Sequence, residues 1–446
     1  MPLAALPGTR TRMDWGFVAA AGGLALLGTV AILSAASPIP YYGQIVQRHF
    51  IALALGTLFF LFGLGFNYQI YQDQAKAIYA LALVLLVGVL LLGTTQRGHR
   101  SWFHLPFLTF QPAELGRLCV ILALAAFLDS RARRIREFAT VLQSLLLVAP
   151  VLILILKQPD FSTTLTFFPV LLGMLFCAGA SLPHLLTVTG YGVLAVGIPL
   201  LYVFCQVRYP QAPPGSWPFL VLETSRMGLA TILTLAAAAG TGFLAWRLSV
   251  LMRLQVRAVT FIVAPLVFAA GLVSGILING QLKGYQRNRF VAYLAPQMDI
   301  QGAAYHVHQS QIAIGSGGVL GKGLFAGTQS QLGFLPERHT DFVYAVIGEE
   351  MGFLGTMGIL SFYLLLVWRI VVAGRLARDR YGYLVCSGLA TMFAFELVLN
   401  VGMCVGLMPV AGIPLPLISY GGSSLVITLL SLGIVTNIYS RRYALL

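Results

Sequence analysis

The sequence contains only 14 Asp and Glu residues among 446, few enough to place each one. Glu114, Asp160, Glu223, Asp299, Glu337 and Asp341 lie at one set of ends of the long apolar runs, or in the segments joining those ends. General acid or base chemistry on that side must use one of these six or a histidine. Glu349, Glu350 and Glu396 fall inside apolar runs, where a carboxylate is costly unless it is paired or functional; both readings stay open from sequence. Asp14, Asp73, Asp129, Glu137 and Asp379 sit among arginines at the opposite ends and read as solvated or paired surface charge.

The side that holds the six acids also carries Arg97, Arg100, Lys157, Arg208, Arg226, Lys283, Arg287, Arg289, Lys322 and Arg338. Lys283, Arg287 and Arg289 cluster before Asp299 and suit an anionic ligand such as a phosphate, or lipid headgroups. Glu114 and Arg117 are three residues apart after Pro112, a spacing that puts them on one face of a helix start. They form either an ion pair holding that end or a polar platform in a cavity. Asp160, in Lys157-Gln158-Pro159-Asp160, either caps the next helix or acts chemically. His306 and His308 have no third ligand and are a weak metal signal. Gly315-Ser316-Gly317-Gly318 and Gly321-Lys322-Gly323 look like phosphate-cradling sequence but lack P-loop spacing. Trp102 is suited to anchoring at a membrane interface or to stacking on a flat ligand face.

The elements that must position these residues are membrane helices. Hydrophobic residues make up 58% of the chain and charged ones 9%, with mean hydropathy +0.85. That is far below the roughly 25% charge of a soluble domain. The composition excludes a soluble protein, and the formal charge of +14 points to cytoplasmic loops rather than to nucleic acid. About twelve runs are long enough to cross or nearly cross: 15–35, 47–66, 76–95, 113–129, 139–156, 163–180, 185–205, 227–246, 258–279, 342–368, 383–407 and 418–438. The fourth and sixth are short. In lipid such runs must be helical, so an all-α polytopic bundle is expected as a single domain over 1–446. The first run is too long for a signal peptide and is expected to be a retained span. Five scattered cysteines predict neither a disulfide framework nor a zinc site.

The basic segment 130–136 sets the orientation. Counting spans from it places Arg10/Arg12, Arg247/Arg253/Arg257, Arg375/Arg378/Arg380 and Arg441/Arg442 on the same, cytoplasmic, side, with both termini. The opposite side carries Thr95–Pro112, the Lys157–Ser162 turn and a long loop over 280–341. Connections of that length are usually functional, and part of this one is expected to dip against the bundle.

Taken in order, several motifs resemble one family. They are Arg100-Ser101-Trp102, Gln111-Pro112-Ala113-Glu114-Leu115, Gln158-Pro159-Asp160, Tyr285-Gln286-Arg287-Asn288-Arg289 and the run Gln309–Gly318. Further along come Gly327-Thr328-Gln329-Ser330-Gln331, Phe334–Phe342, Pro414-Leu415-Pro416 and Ser419–Ser424. The chain is similar to the SEDS (shape, elongation, division and sporulation) proteins, and Gly327–Gln331 leans towards the RodA branch rather than FtsW. The resemblance implies a peptidoglycan glycosyltransferase that polymerises lipid II at the outer face of the bacterial cytoplasmic membrane, for cell elongation and shape. It implies an essential acid in a pattern like Asp-Pro-x-Gly-x-Gly-Tyr. Here that stretch reads Asp299-Ile300-Gln301-Gly302-Ala303-Ala304-Tyr305, which assigns Asp299 as the catalytic acid position although Ile300 and Ala304 depart from the pattern. The substrate-binding set it suggests is Trp102, Glu114, Arg117, Lys283, Arg287, Arg289, Gln309, Ser310, Lys322, Gln329, Glu337, His339 and Asp341. Arg117 stands where the family usually has Lys.

The family has ten spans, so the excess is assigned to an insertion over 207–257. Implied partners are a class B penicillin-binding protein acting as transpeptidase and other membrane proteins of the elongation complex. No organic cofactor is implied; a divalent cation, Mg2+ or Mn2+, suits the pyrophosphate, and no metal ligands are assigned. In an inverting displacement, one carboxylate takes the proton of the acceptor sugar hydroxyl and cations stabilise the departing pyrophosphate. Arg117, Lys283, Arg287, Arg289 and Lys322 are the cations that fit. Two other classes remain in view: a flippase for lipid-linked precursors, which would use the intramembrane acids, and a non-catalytic scaffold of a cell-wall complex.

Overall fold

The computed structural model describes residues 13–96, 99–104, 109–158, 160–253, 258–282, 284–298 and 302–442. Arg10, Arg12, Arg97, Pro159, Arg257, Lys283, Asp299, Ile300 and Gln301 therefore lie outside the described residues. A helix stands at each of the twelve expected positions: α1 (Trp15–Ala36), α2 (Tyr42–Gly65), α3 (Ala75–Leu92), α4 (Pro112–Ser130), α5 (Phe138–Lys157), α6 (Phe161–Ala178), α7 (Leu182–Arg208), α8 (Leu229–Leu251), α9 (Ala258–Gln281), α10 (Val343–Arg375), α11 (Arg380–Cys404) and α12 (Gly422–Ser440). Ten of them are long and apolar enough to cross a membrane. The exceptions are α4, which carries Glu114, Arg117 and Asp129, and α6, whose apolar stretch is short.

Helix boundaries follow local chemistry. The Asp14 carboxylate accepts the Phe17 N–H at 3.0 Å, and Asp379 accepts the Gly382 N–H at 2.7 Å. Each carboxylate satisfies a donor that the first helical turn leaves open. Pro112 occupies the first turn of α4, where its missing N–H costs nothing.

The chain divides into two compact units, residues 1–180 with 309–446, and residues 181–308. At the centre of the first lie α11 and α12. Helices α2 and α12 approach closely: a Cβ on Gly433 would sit 2.3 Å from the Phe60 carbonyl oxygen. Without water-driven association between spans, such backbone proximity is how helices gain packing energy. The Thr95–Pro112 segment holds a small antiparallel sheet in the order β1 (Thr94–Gln96), β2 (His99–His104) and β3 (Thr109–Phe110). It is fastened to the helices by Ser101 Oγ, which donates to the Gln158 carbonyl at 3.1 Å, and by Ser423 Oγ, which donates to that of Thr109 at 2.6 Å.

The second unit contains α7, a short helix Trp217–Thr224, α8, α9 and the helix Gly284–Leu294. Ile198 and Tyr202 of α7 bury against Leu272 and Ile276 of α9. The long segment after α9 is largely folded: beyond Gly284–Leu294 it forms the helices Ala303–Ser316 and Thr328–Gln331.

Candidate functional site

The first polar cluster is built on a broken helix. At Gly352 the backbone of α10 leaves the helical region (φ 65°, ψ −161°), a conformation open essentially to glycine alone. A break strands carbonyls before it and N–H groups after it, and buried backbone groups must be satisfied. The Gly-rich segment supplies both. Lys322 and Gly323 donate N–H to the Glu349 and Glu350 carbonyls at 3.0 Å each; the Phe353 and Leu354 N–H groups donate to the Gly318 and Val319 carbonyls at 2.9 and 3.1 Å. Phosphate-like in sequence, this segment completes a helix break. It must be glycine-rich, because a Cβ at Gly321 would lie 2.2 Å from the Glu350 carbonyl oxygen.

The two acids before the break hold the segment's side chains. Glu349 accepts from Lys322 Nζ at 2.9 Å, Thr328 Oγ1 at 3.0 Å, Gln329 N–H at 2.8 Å and Ser330 N–H at 3.0 Å. Glu350 accepts from Ser34 Oγ at 2.5 Å, Phe325 N–H at 3.2 Å, Ser330 Oγ at 3.2 Å and Gln331 Nε2 at 3.3 Å. Beside them Arg338 donates to the Ala35 carbonyl at 2.9 Å and the Ser330 carbonyl at 2.5 Å. Burial pushes its guanidinium below the usual value. These bonds fix the loop end to α1 and α10.

The second cluster centres on Arg117 of α4. Its guanidinium pairs with Glu114, one turn back, and with Glu396 of α11. All three side chains are less than 10% exposed. One cation between two carboxylates suits the forked guanidinium, whose donors are fixed in a plane, whereas an ammonium would meet them as a point charge. Arg117 Nε has no partner among the described residues. Close in sequence, Gln111 Nε2 donates to Asp160 at 2.8 Å, while Asp160 caps α6 by accepting the Thr163 N–H at 3.0 Å.

The remaining expected residues are distributed as follows. Trp102 is half-buried on β2, and its carbonyl accepts from Thr94 Oγ1 at 3.1 Å. Gln309 and Ser310 lie on Ala303–Ser316; Ser310 is buried and donates to the Cys404 carbonyl at 2.8 Å. Glu337, His339 and Asp341 form the turn into α10. Thr340 Oγ1 donates to Glu337 at 3.2 Å, the His339 carbonyl accepts the Tyr420 N–H at 2.9 Å, and that of Asp341 accepts Asn400 Nδ2 at 3.1 Å. Arg287 and Arg289 lie on Gly284–Leu294 in the second unit, where Arg287 is exposed and bonds Gln206. Asp299 and Lys283 lie outside the described residues, and among those described no three His, Cys, Asp or Glu residues form a metal cluster.

The structure thus joins Glu114 with Arg117, and Lys322 with Gln329. It adds Glu349, Glu350, Glu396, Arg338 and Ser34, which the expected binding set did not include. The three acids were signalled by their place in apolar runs. Ser34, one of two hydroxyl residues with Thr29 in the apolar α1, gave no signal.

A family model described as "Cell cycle protein", covering FtsW, RodA and SpoVE, matches residues 13–212 and 218–444. The chain belongs to this family. Among similar proteins, the peptidoglycan glycosyltransferase RodA of Treponema pallidum is 30% identical over 94% of this chain and 96% of its own length. The peptidoglycan glycosyltransferase MrdB of Escherichia coli K12 is 30% identical over 89% and 86%, respectively. Of solved structures, a chain from a study of "structural coordination of polymerization and crosslinking by a peptidoglycan synthase complex" matches with TM-score 0.64 and 31% identity, covering 97% of this chain and 99% of that one. The rod shape determining protein RodA of Thermus thermophilus matches with TM-score 0.59 and 28% identity over 98% and 99%. The expected multi-pass helical fold is therefore the fold of this FtsW/RodA/SpoVE family, and its two buried polar clusters are set within that scaffold.

Proposed function

We infer that this chain is a peptidoglycan glycosyltransferase of the bacterial cytoplasmic membrane, using lipid II at the outer face and serving cell elongation. The observation that carries the reading is the near full-length similarity to proteins named for that activity. It is supported by a structural likeness that spans almost the whole chain. The flippase reading has less support. Glu349, Glu350 and Glu396, the acids it would need, are each buried and engaged by donors or cations.

In the proposed reaction Asp299 takes the proton from the acceptor sugar hydroxyl as that oxygen attacks the donor anomeric carbon and the lipid pyrophosphate departs. Lys283, Arg287, Arg289 and Lys322 meet the charge developing on the leaving group. Arg117, whose fork is committed to Glu114 and Glu396, holds α4 against α11. A Mg2+ or Mn2+ ion at the pyrophosphate would be held mainly by substrate oxygens and one or two carboxylates, as Mg2+ commonly is at phosphates. Trp102, Gln309, Gln329, Glu337, His339 and Asp341 complete the proposed substrate surface, while the buried Ser310 ties the Ala303–Ser316 helix to the Cys404 carbonyl. A transpeptidase of the class B penicillin-binding type is the proposed partner; the likeness to a chain from a polymerising and crosslinking complex supports it. The placement of basic loops supports cytoplasmic termini.

The test is Asp299→Asn in purified protein supplied with lipid II. Loss of glycan polymer by at least about a hundredfold, the usual span of general base catalysis, with an unchanged melting temperature is expected. Polymerisation at the wild-type rate by folded variant would remove Asp299 from the mechanism.

A further inference from the structure

We propose that Glu349 is a positioning residue for the transferase: it orients Lys322 and the 328–330 backbone so that the lysine presents its remaining N–H to an anionic group of the substrate. The proposal rests on the reading that Lys322 meets the lipid-linked pyrophosphate.

Glu349 is fully buried and its two oxygens receive four donors, which uses about all the lone-pair positions of a carboxylate. It is therefore not placed to take a proton from substrate. Nor is its side chain needed to seal the helix break, since the stranded carbonyls and N–H groups around Gly352 are satisfied by the main chain of 318–323. What the carboxylate adds is hold over Lys322. Glu349 grips that residue twice, its carbonyl accepting the Lys322 N–H at 3.0 Å and its Oε1 accepting Nζ at 2.9 Å.

Thr328 Oγ1 completes a triangle, 2.8 Å from Nζ and 3.0 Å from Glu349 Oε1. A lysine ammonium has three N–H donors on a flexible stem. Two are taken up by Glu349 Oε1 and Thr328 Oγ1, and 26% of the side chain stays exposed. The third donor is thus held on the exposed side, with the rotamer freedom of the stem already lost before any ligand arrives. Pre-organisation of this kind improves binding without adding a contact.

The experiment is steady-state polymerisation of lipid II by the full-length protein, with melting temperatures recorded in parallel. Lys322→Met and Glu349→Gln are each expected to raise KM about tenfold, the effect of one charge-assisted hydrogen bond, and to change kcat less. The double variant should be no worse than the stronger single one, because both remove the same contact. Thr328→Val, at an exposed position, should raise KM about threefold, the low end for a hydrogen bond, without lowering the melting temperature; it decides the matter if Glu349→Gln does not fold. Glu349→Asp should recover part of the loss. If Lys322→Met leaves KM unchanged, the substrate role of Lys322 fails, and the positioning role with it. If Lys322→Met raises KM but Thr328→Val leaves it unchanged, or the Lys322 and Glu349 effects multiply, the positioning role alone is overturned.

Discussion

Arg117 shows how much a single residue type decides. Its guanidinium serves Glu114 and Glu396 from a position shielded from water. Breaking a buried ion pair by removing one partner costs about 3–5 kcal/mol, because the other charge is left uncompensated. Arg117→Met strands two carboxylates, so it should lower the melting temperature of the purified protein more than Glu396→Gln does. Adding Glu396→Leu to Arg117→Met should restore part of the loss, since the carboxylate that remains, Glu114, sits in the first turn of α4, where the helix dipole favours a negative charge. A double variant no more stable than Arg117→Met would mean that the cost lies in packing rather than charge. One of this triad's two ion pairs was legible in the sequence. Glu114 and Arg117 are three apart and must share a face of any helix that contains them. Glu396 was legible only as an acid needing some partner; its pairing with Arg117 depends on how α4 and α11 pack, which no local pattern encodes.

At the scale of the element, α10 was expected as one uninterrupted span beginning near 342. Its position is as expected, but hydropathy averages over a window and does not register one residue's dihedral angles. The break at Gly352 was therefore invisible, and so was the purpose of the glycines around 315–323, which meet the stranded backbone groups. Gly352→Ala forces a Cβ to 2.3 Å from the Gly321 nitrogen at a backbone conformation that side chains rarely adopt. Strain of that kind is worth about 1–3 kcal/mol, so the melting temperature should fall. Gly358→Ala supplies the contrast within the same helix. Nothing lies within 4 Å of its Cβ position, and alanine is favoured over glycine in a helix by up to about 1 kcal/mol, so the melting temperature should hold or rise. Equal losses in the two variants would show that the break is not a specific requirement of the fold.

For the whole molecule, hydropathy identifies which segments can cross and charge predicts which ends face the cytoplasm, but neither says which helices are central. Helices α8 and α12 have nearly equal mean hydropathy, 1.6 and 1.5, yet 11% of the first window and 78% of the second is buried. Burial is set by partners, and partners are a tertiary property. Sidedness, by contrast, follows from the distribution of Arg and Lys and makes a testable map. With α7, α8 and α9 all crossing, the map predicts Gln211 outside and Met252 and Arg133 inside. The native thiols give little background, because four of the five cysteines are buried and Cys177 is partly so. A membrane-impermeant thiol reagent should therefore label Gln211→Cys in intact cells, and should label Arg133→Cys and Met252→Cys only after permeabilisation. Met252 is the informative position. It is 70% exposed at the end of α8, and on the expected topology α8 carries the chain inward to it and α9 carries the chain back out. Labelling of Met252→Cys from outside, with Arg133→Cys still protected, would mean that α8 and α9 do not cross as a pair and that 207–257 is an outer-face segment instead.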